Sequence, residues 1–342
     1  MNKPDQIQSF RQSRHQKAPR AFFHDYCAPG SYMITITAKS PVVALSIINQ
    51  QSTDMMKKEE IITPQLTKLG EYIESELLAI PEHCPKLDIP HYVIMPDHIH
   101  FILHVRSRLD KSIGKYIAPF TKNCSQEYTK LGNLTSFTTL FHPFDDRIIF
   151  NPEQLEKAIQ YIKDNPRRYL IRRNYPDLFQ RHLQLSIGSY EYAAYGNIFL
   201  LKSFRLIPIR IHRSWSEQQF RDYHSSSLKH INQGAIPISP AIHPAEKAII
   251  RDAIESGSSV ILLRDLSFNE RFKPQGVYFD LCAAGRLLLL SPWPDNHQRR
   301  SKAGSTEFHS MNDHAARIAA LPPTARFSIS TPTQLRPHPK KP

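Results

Sequence analysis

Apolar and polar positions alternate in two registers along the chain, and the change of register marks its elements. "GSYMITITA" (30–38) is dense in β-branched and aromatic residues behind a leading glycine, which predicts a strand. In "TPQLTKLGEYIESELLAI" (63–80), Leu66, Leu69, Ile73, Leu77 and Ile80 recur three or four residues apart, the spacing of an amphipathic helix. Two further strands, "HYVIM" and "HIHFILHV", flank Pro96 and Asp97, whose chemistry suits a turn. Helices are predicted at about 112–131 and at 152–164, "PEQLEKAIQYIKD". Pro152 fits the first turn of the latter, and Pro166 disfavours helical geometry at Asn165.

From about 183–196, around Gly188 and Gly196, the rhythm changes. Strand-like "IFLLK" and "RLIPIRI" precede a helical "WSEQQFRDYHSSSLKHI", then "AIPIS", helical "PAEKAIIRDAIESG", "SVILLRD" and "RLLLL". Short apolar strands alternating with helices predict a parallel sheet covered on both faces, a small Rossmann-like domain. Beyond about 296 the chain is rich in Pro, Ser, Arg and His, and apart from a short helical candidate, "HAARIAAL", it reads as a basic, largely flexible tail. The expected organisation is an α/β protein with domains at 1–182 and 183–296 and a tail at 297–342.

A length of 342 residues with 40% hydrophobic content can supply a core for each domain. Forty-four Lys and Arg against 31 Asp and Glu give a net charge of +13, which favours a polyanionic partner such as nucleic acid. The four cysteines, Cys27, Cys84, Cys124 and Cys282, form no C-x-x-C pair, so neither a disulfide framework nor a zinc ribbon is expected. No stretch approaches the roughly 18 uninterrupted apolar residues of a membrane span, and the first twenty residues lack an apolar signal core. The expectation is a cytoplasmic protein without membrane contact, monomeric or homodimeric.

His98 and His100, two apart on a strand, would present two imidazoles on one face while Ile99 packs on the other. With 17 histidines, chance alone yields on the order of one such pair, so spacing by itself decides little. On the 152–164 helix, Leu155, Ala158, Ile159 and Ile162 form the apolar stripe, and Tyr161 lies on its flank, bordering the core yet able to reach a cleft. Asn165 follows one turn later on the same edge, where its amide oxygen could add a hard ligand to the imidazoles. Lys163, Arg167, Arg168, Arg172 and Arg173 make the surrounding segment basic, a candidate track for DNA phosphates and equally the composition of a solvated face.

"HDYCAPGSYMITITA", "YVIMPDHIHFIL", "FDDRII" and "AIQYIKDNP" occur in an order and spacing that resembles the REP-associated tyrosine transposases, single-tyrosine HUH transposase-like proteins, over roughly residues 10–182. The resemblance implies a ferredoxin-like α/β sandwich with an antiparallel sheet. It implies a divalent metal on His98 and His100 with Asn165 completing the site, Tyr161 as nucleophile, and single-stranded or hairpin DNA as substrate. Mixed nitrogen and oxygen ligation suits Mn²⁺, and Mg²⁺ fits by availability. The expected reaction is cleavage and rejoining of a DNA strand through a 5′-phosphotyrosine. The alternative is a domesticated hairpin-binding protein with weak or lost catalysis. Most relatives carry Asn where this chain carries Asp97.

"AIPISPAIHPAEKAIIRDAIESGSSVILLRD" with "FDLCAAGRLLLLSPWP" resembles the Rossmann-type core of the DNA-processing protein A and lysine-decarboxylase-like superfamily. "SPAIHP" stands where a glycine-rich phosphate loop is expected, which makes Ser239 and the start of the following helix the place to look for a ligand. A nucleotide-processing enzyme is therefore a third reading, and it would need phosphate recognition that the sequence does not display.

Overall fold

A computed structural model describes residues 24–39, 44–49, 62–212, 214–270, 272–293 and 305–327. Its contacts divide the chain into two units, Met1–Leu170 and Ile171–Pro342. The division falls before the expected one at 182/183.

The first unit contains β1 (Gly30–Thr37), a short pair β2 (Ser46–Ile47) and β3 (Gln65–Leu66), α1 (Lys68–Leu78), α2 (Ile80–His83), β4 (Leu87–Ile94), β5 (His98–Val105), α3 (Ile113–Leu131), β6 (Asp145–Ile149) and α4, which starts at Pro152 and ends at Asn174. Four strands make an antiparallel sheet in the order β4-β5-β1-β6. The pleat sends Tyr32, Ile34, Ile36, Ile99, Phe101 and Leu103 to one face, where they pack with Leu69, Ile73 and Leu77 of α1 and with Ile113, Ile117 and Phe120 of α3. The other face carries Thr35 and Thr37 of β1 and, opposite them, His100 and His98 of β5. Thr67 caps α1 by accepting the Gly70 N–H at 3.2 Å.

Helix α4 runs well past the stop expected at Pro166. Asn151 caps its start, its Oδ1 accepting the Gln154 N–H at 2.9 Å. Pro166 has no N–H to give the carbonyl of Ile162, so the helix loses one rung there. The turn is held instead by Asp164, which pairs with Arg167 at 2.5 Å and lies 3.9 Å from Arg168. Burial of Leu170 and Ile171 beyond the proline rewards continuation of the helix.

The second unit contains a 3₁₀ turn (Pro176–Phe179), β7 (Arg181–Ile187), β8 (Tyr190–Gly196), a 3₁₀ turn (Ile198–Lys202), β9 (Leu206–Pro208), α5 (Glu217–Asn232), β10 (Ile236–Ser239), α6 (Pro244–Glu255), β11 (Val260–Leu263), α7 (Val277–Ala283), β12 (Leu287–Ser291), α8 (Ser305–Ala320) and α9 (Pro323–Arg326). Its sheet has the order β7-β8-β12-β11-β10-β9. The four strands β12 to β9 are parallel, as expected, and the hairpin β7-β8 adds an antiparallel edge. The parallel strands are buried on both sides: Ile238, Ile261, Leu263, Leu288 and Leu290 face one apolar layer, and Val260, Leu262, Leu287 and Leu289 face the other.

Several sequence expectations change here. "IFLLK" is a 3₁₀ turn rather than a strand, because Gly196 turns the chain out of the sheet at φ 100° and Asn197 then caps the turn by accepting the Phe199 N–H. A Cβ at Gly196 would stand 2.4 Å from the Leu287 carbonyl oxygen, so no other residue fits that approach. Helix α7 was not foreseen. Part of the supposed flexible tail is ordered: α8 buries Met311, Ala315 and Ile318 against the sheet's Tyr192, Leu288 and Leu290. Arg326 donates to the carbonyls of Leu321, Leu201 and Ala319. The rest of the supposed tail, 297–304 and 328–342, lies outside the described residues.

Candidate functional site

The site begins at the β4-β5 hairpin, where Met95 N–H donates to the His98 carbonyl at 2.8 Å and Pro96 and Asp97 make the turn. In β5, His98 is the register partner of Thr37 and His100 that of Thr35. Both imidazoles therefore leave the sheet on one face, with ring centroids 4.6 Å apart and planes at 73°. Each ring is held at Nδ1. His98 Nδ1 lies 2.6 Å from Asp97 Oδ1, and His100 Nδ1 lies 2.9 Å from Thr35 Oγ1. Nε2 is the nitrogen left on each ring for a ligand. His100 is 6% exposed, and burial, reinforced by the neighbouring His98, pushes its pKa down to about 3. It is thus neutral at physiological pH, the form that binds a metal.

Helix α4 brings Tyr161 to this pair. Its ring centroid is 5.3 Å from that of His100, edge to face. The guanidinium of Arg168 stands over the same ring, 5.6 Å from its centroid, where a cation is attracted to the π face. Asn165, one turn on and about 6 Å further along the helix axis, is buried, and its Nδ2 has no hydrogen-bond partner. Turning that amide over places the carbonyl oxygen at the unpartnered position, an acceptor ready for a cation.

Among the described residues no three His, Cys, Asp or Glu side chains gather as a metal site. A third protein ligand for a cation on the two imidazoles would have to come from another residue type, and the buried, unpartnered amide of Asn165 fits that requirement. Two imidazoles locked at Nδ1 by an acid and a hydroxyl have the outer partners that orient metal-binding histidines. The donor set fits a divalent cation.

The basic residues expected to follow DNA phosphates divide. Lys163 and Arg173 are exposed. Arg167 and Arg168 are buried at 3% and 7% exposure, held near Asp164. Arg172 stands 5.0 Å from the ring centroid of Phe279 and 6.0 Å from that of Phe179. Sequence reasoning gave no role to Thr35 or Asp97 at the imidazoles, and Arg168 was assigned to phosphate rather than to the tyrosine ring.

In the second unit, Ser239 is fully buried and its Oγ accepts the Ala241 N–H at 3.0 Å. The amides near the start of α6 already have an acid. The buried Glu246 carboxylate accepts from Ile242 N, His243 N and Ile211 N at 2.8, 3.2 and 3.1 Å. The chain's own carboxylate thus takes donors that a phosphate would need.

No family model matches the chain. An uncharacterized protein of Haemophilus influenzae is 30% identical over 113 residues, which cover 33% of this chain and 54% of that protein. The chain thus spans about half the length of the curated relative it matches. A solved structure of a REP-associated tyrosine transposase bound to a REP hairpin overlaps 43% of this chain and 72% of its own at 16% identity, with a TM-score of 0.29, too loose an overlap to assign a function. Among the described residues no helix is long and apolar enough to cross a membrane.

Proposed function

We propose that the unit Met1–Leu170 is a metal-dependent strand transferase acting on single-stranded or hairpin DNA. One observation carries the reading: His98 and His100 on β5 and Tyr161 on α4, far apart in sequence, meet as three contiguous rings with an unpartnered buried amide one turn away. The four sequence motifs that resemble the tyrosine transposases contain these same residues.

A divalent cation, Mn²⁺ or Mg²⁺, held by His98, His100 and Asn165 would supply positive charge at the scissile phosphate. Tyr161 Oη attacks phosphorus, the bond from phosphorus to the 3′-oxygen breaks, the phenol loses its proton and the departing 3′-oxygen gains one. The products are a 5′-phosphotyrosyl strand and a free 3′-hydroxyl. Because the new bond is itself a phosphodiester, attack by another 3′-hydroxyl reverses the step without ATP. Asp97 and Thr35 fix the imidazole planes, and Arg168 holds the tyrosine ring.

The test is covalent capture. The full-length chain is incubated with hairpin oligonucleotides carrying single-stranded flanks and Mn²⁺ or Mg²⁺, then denatured and resolved by gel. The wild type forms a slow-migrating protein-DNA adduct, and Tyr161→Phe forms none while binding the hairpin within a few-fold of wild type, since affinity rests on phosphate contacts. An adduct surviving denaturation in the Phe variant overturns the assignment.

A further inference from the structure

The first unit holds a cleft of about 400 Å³ that the proposed chemistry does not use. Its size lies in the range of small-ligand pockets, roughly 300–1,000 Å³. One wall is a face of α3, where Gly114, Ala118 and Thr121 recur at helical spacing and leave room beside Ile117. The other wall is the segment 137–144. That segment is tied down at both edges. Ser125 Oγ accepts the Leu140 N–H at 3.0 Å and Thr129 Oγ1 accepts the Thr138 N–H at 3.0 Å, which fixes it to α3. Lys39 N–H donates to the Leu140 carbonyl and His142 N–H to the Thr37 carbonyl, both at 2.8 Å, which fixes it to the end of β1.

The cleft combines an apolar floor with a basic mouth. Phe137, 55% exposed, stands at the wall with its ring open to solvent. Lys39, whose Nζ reaches Thr139 Oγ1, and the exposed Lys122 sit at the opening, and none of the described lining residues is acidic. An exposed aromatic beside lysines is the pattern that takes an unpaired base, one partner stacking on the π face and the other offsetting the phosphate. The α3 wall lies on the sheet face opposite the imidazoles, so a strand from the reactive centre reaches the cleft around the end of the sheet. Thr37, which His142 binds on the edge of β1 away from β5, is the register partner of His98, so the mouth lies at the end of the sheet where β5 begins, about two strand spacings, roughly 10 Å, from the strand that carries the imidazoles.

We propose that this cleft receives one unpaired base of the single-stranded DNA flanking the reactive phosphate, stacked on Phe137 with Lys39 and Lys122 at its backbone. The proposal rests on the reading of the first unit as a DNA strand transferase and adds how it tells a tailed hairpin from a blunt one.

The experiment measures fluorescence anisotropy of the full-length chain carrying Tyr161→Phe, without added metal, against a labelled hairpin with and without an unpaired flank. Adding Phe137→Ala lowers affinity for the flanked hairpin about tenfold and leaves the blunt hairpin unchanged within a factor of about two. Lys122→Ala, also exposed, acts in the same direction. Making the flank abasic reproduces the loss in the Phe137 protein and adds nothing in Phe137→Ala. Equal loss for both hairpins, or no loss for either, overturns the proposal; circular dichroism confirms that the variants are folded. If Tyr161 forms no adduct yet Phe137→Ala still weakens only flanked DNA, the catalytic reading falls and the base site stands.

Discussion

Asp97 Oδ1 lies 2.6 Å from His98 Nδ1, so the acid that makes the hairpin turn also orients the first imidazole of the site. This carboxylate can only accept, which fixes the proton on Nδ1 and leaves Nε2 as the acceptor nitrogen of the ring.

Asp97→Ala should therefore weaken Mn²⁺ binding about 10- to 100-fold. Asp97→Asn, whose amide oxygen also accepts from Nδ1–H, should stay within a few-fold of wild type. Electron paramagnetic resonance of free Mn²⁺ during titration reads both. Equal affinity in all three proteins would remove Asp97 from the site.

The two imidazoles should be separable from the third histidine on their strand. His104 shares their face of β5, but its Nδ1 partners Ser31 Oγ at 2.9 Å, near the opposite end of the strand. His98→Gln and His100→Gln should each abolish metal-dependent cleavage, because one imidazole cannot hold the ion with an amide alone. His104→Gln should retain it. Cleavage by all three variants alike would mean that the metal clamp lies elsewhere.

Much of this was legible in the sequence because strand alternation and helical spacing are local signals. The faces of β1 and β5 follow from period two, and the flank position of Tyr161 follows from the apolar stripe beside it. What was not legible depends on register and on distant partners. Thr35 meets His100 only because β1 and β5 pair with those two residues opposite one another, 65 positions apart. Pro166 is a strong local stop, yet the ion pairs across it and the burial of Leu170 and Ile171 carry α4 onward. The segment of the hairpin β7-β8 reads as a domain boundary because its glycines signal a break, whereas Gly188, at φ 59°, makes the turn that closes the hairpin. Helix α8 shows few large apolar residues, and its fold rests on three that meet a sheet far away in sequence.

Asp164 makes a direct prediction about stability. Its partner Arg167 is only 4% exposed in its side chain, while Asp164 itself is 29% exposed, so solvent screens the pair from one side. Asp164→Asn should cost about 1–2 kcal/mol in urea denaturation. It should also slow adduct formation, since the residue steadies the turn between Tyr161 and Arg168. An unchanged midpoint and an unchanged adduct rate would show that the turn holds without it.

His314 makes a prediction about pH in the second unit. Its Nδ1 lies 2.7 Å from the Tyr192 hydroxyl, and its ring stands edge-on to Tyr190 and Tyr192. Burial, then the charge of Arg317, lowers its pKa from the ordinary 6.5, with Asp313 opposing. A lowered folded-state pKa means that the unfolded chain binds more protons as pH falls below 6.5. The stabilisation is therefore complete above about 6.5 and drains away as pH drops through the folded-state value. His182 and His100 are shifted in the same direction by burial and add to the slope. His314→Gln, which keeps a hydrogen-bonding group at the tyrosine but cannot charge in this range, should flatten the decline in urea midpoint between pH 7 and pH 5 relative to wild type. A parallel decline in the two proteins would show that α8 detaches from the sheet before His314 takes its proton.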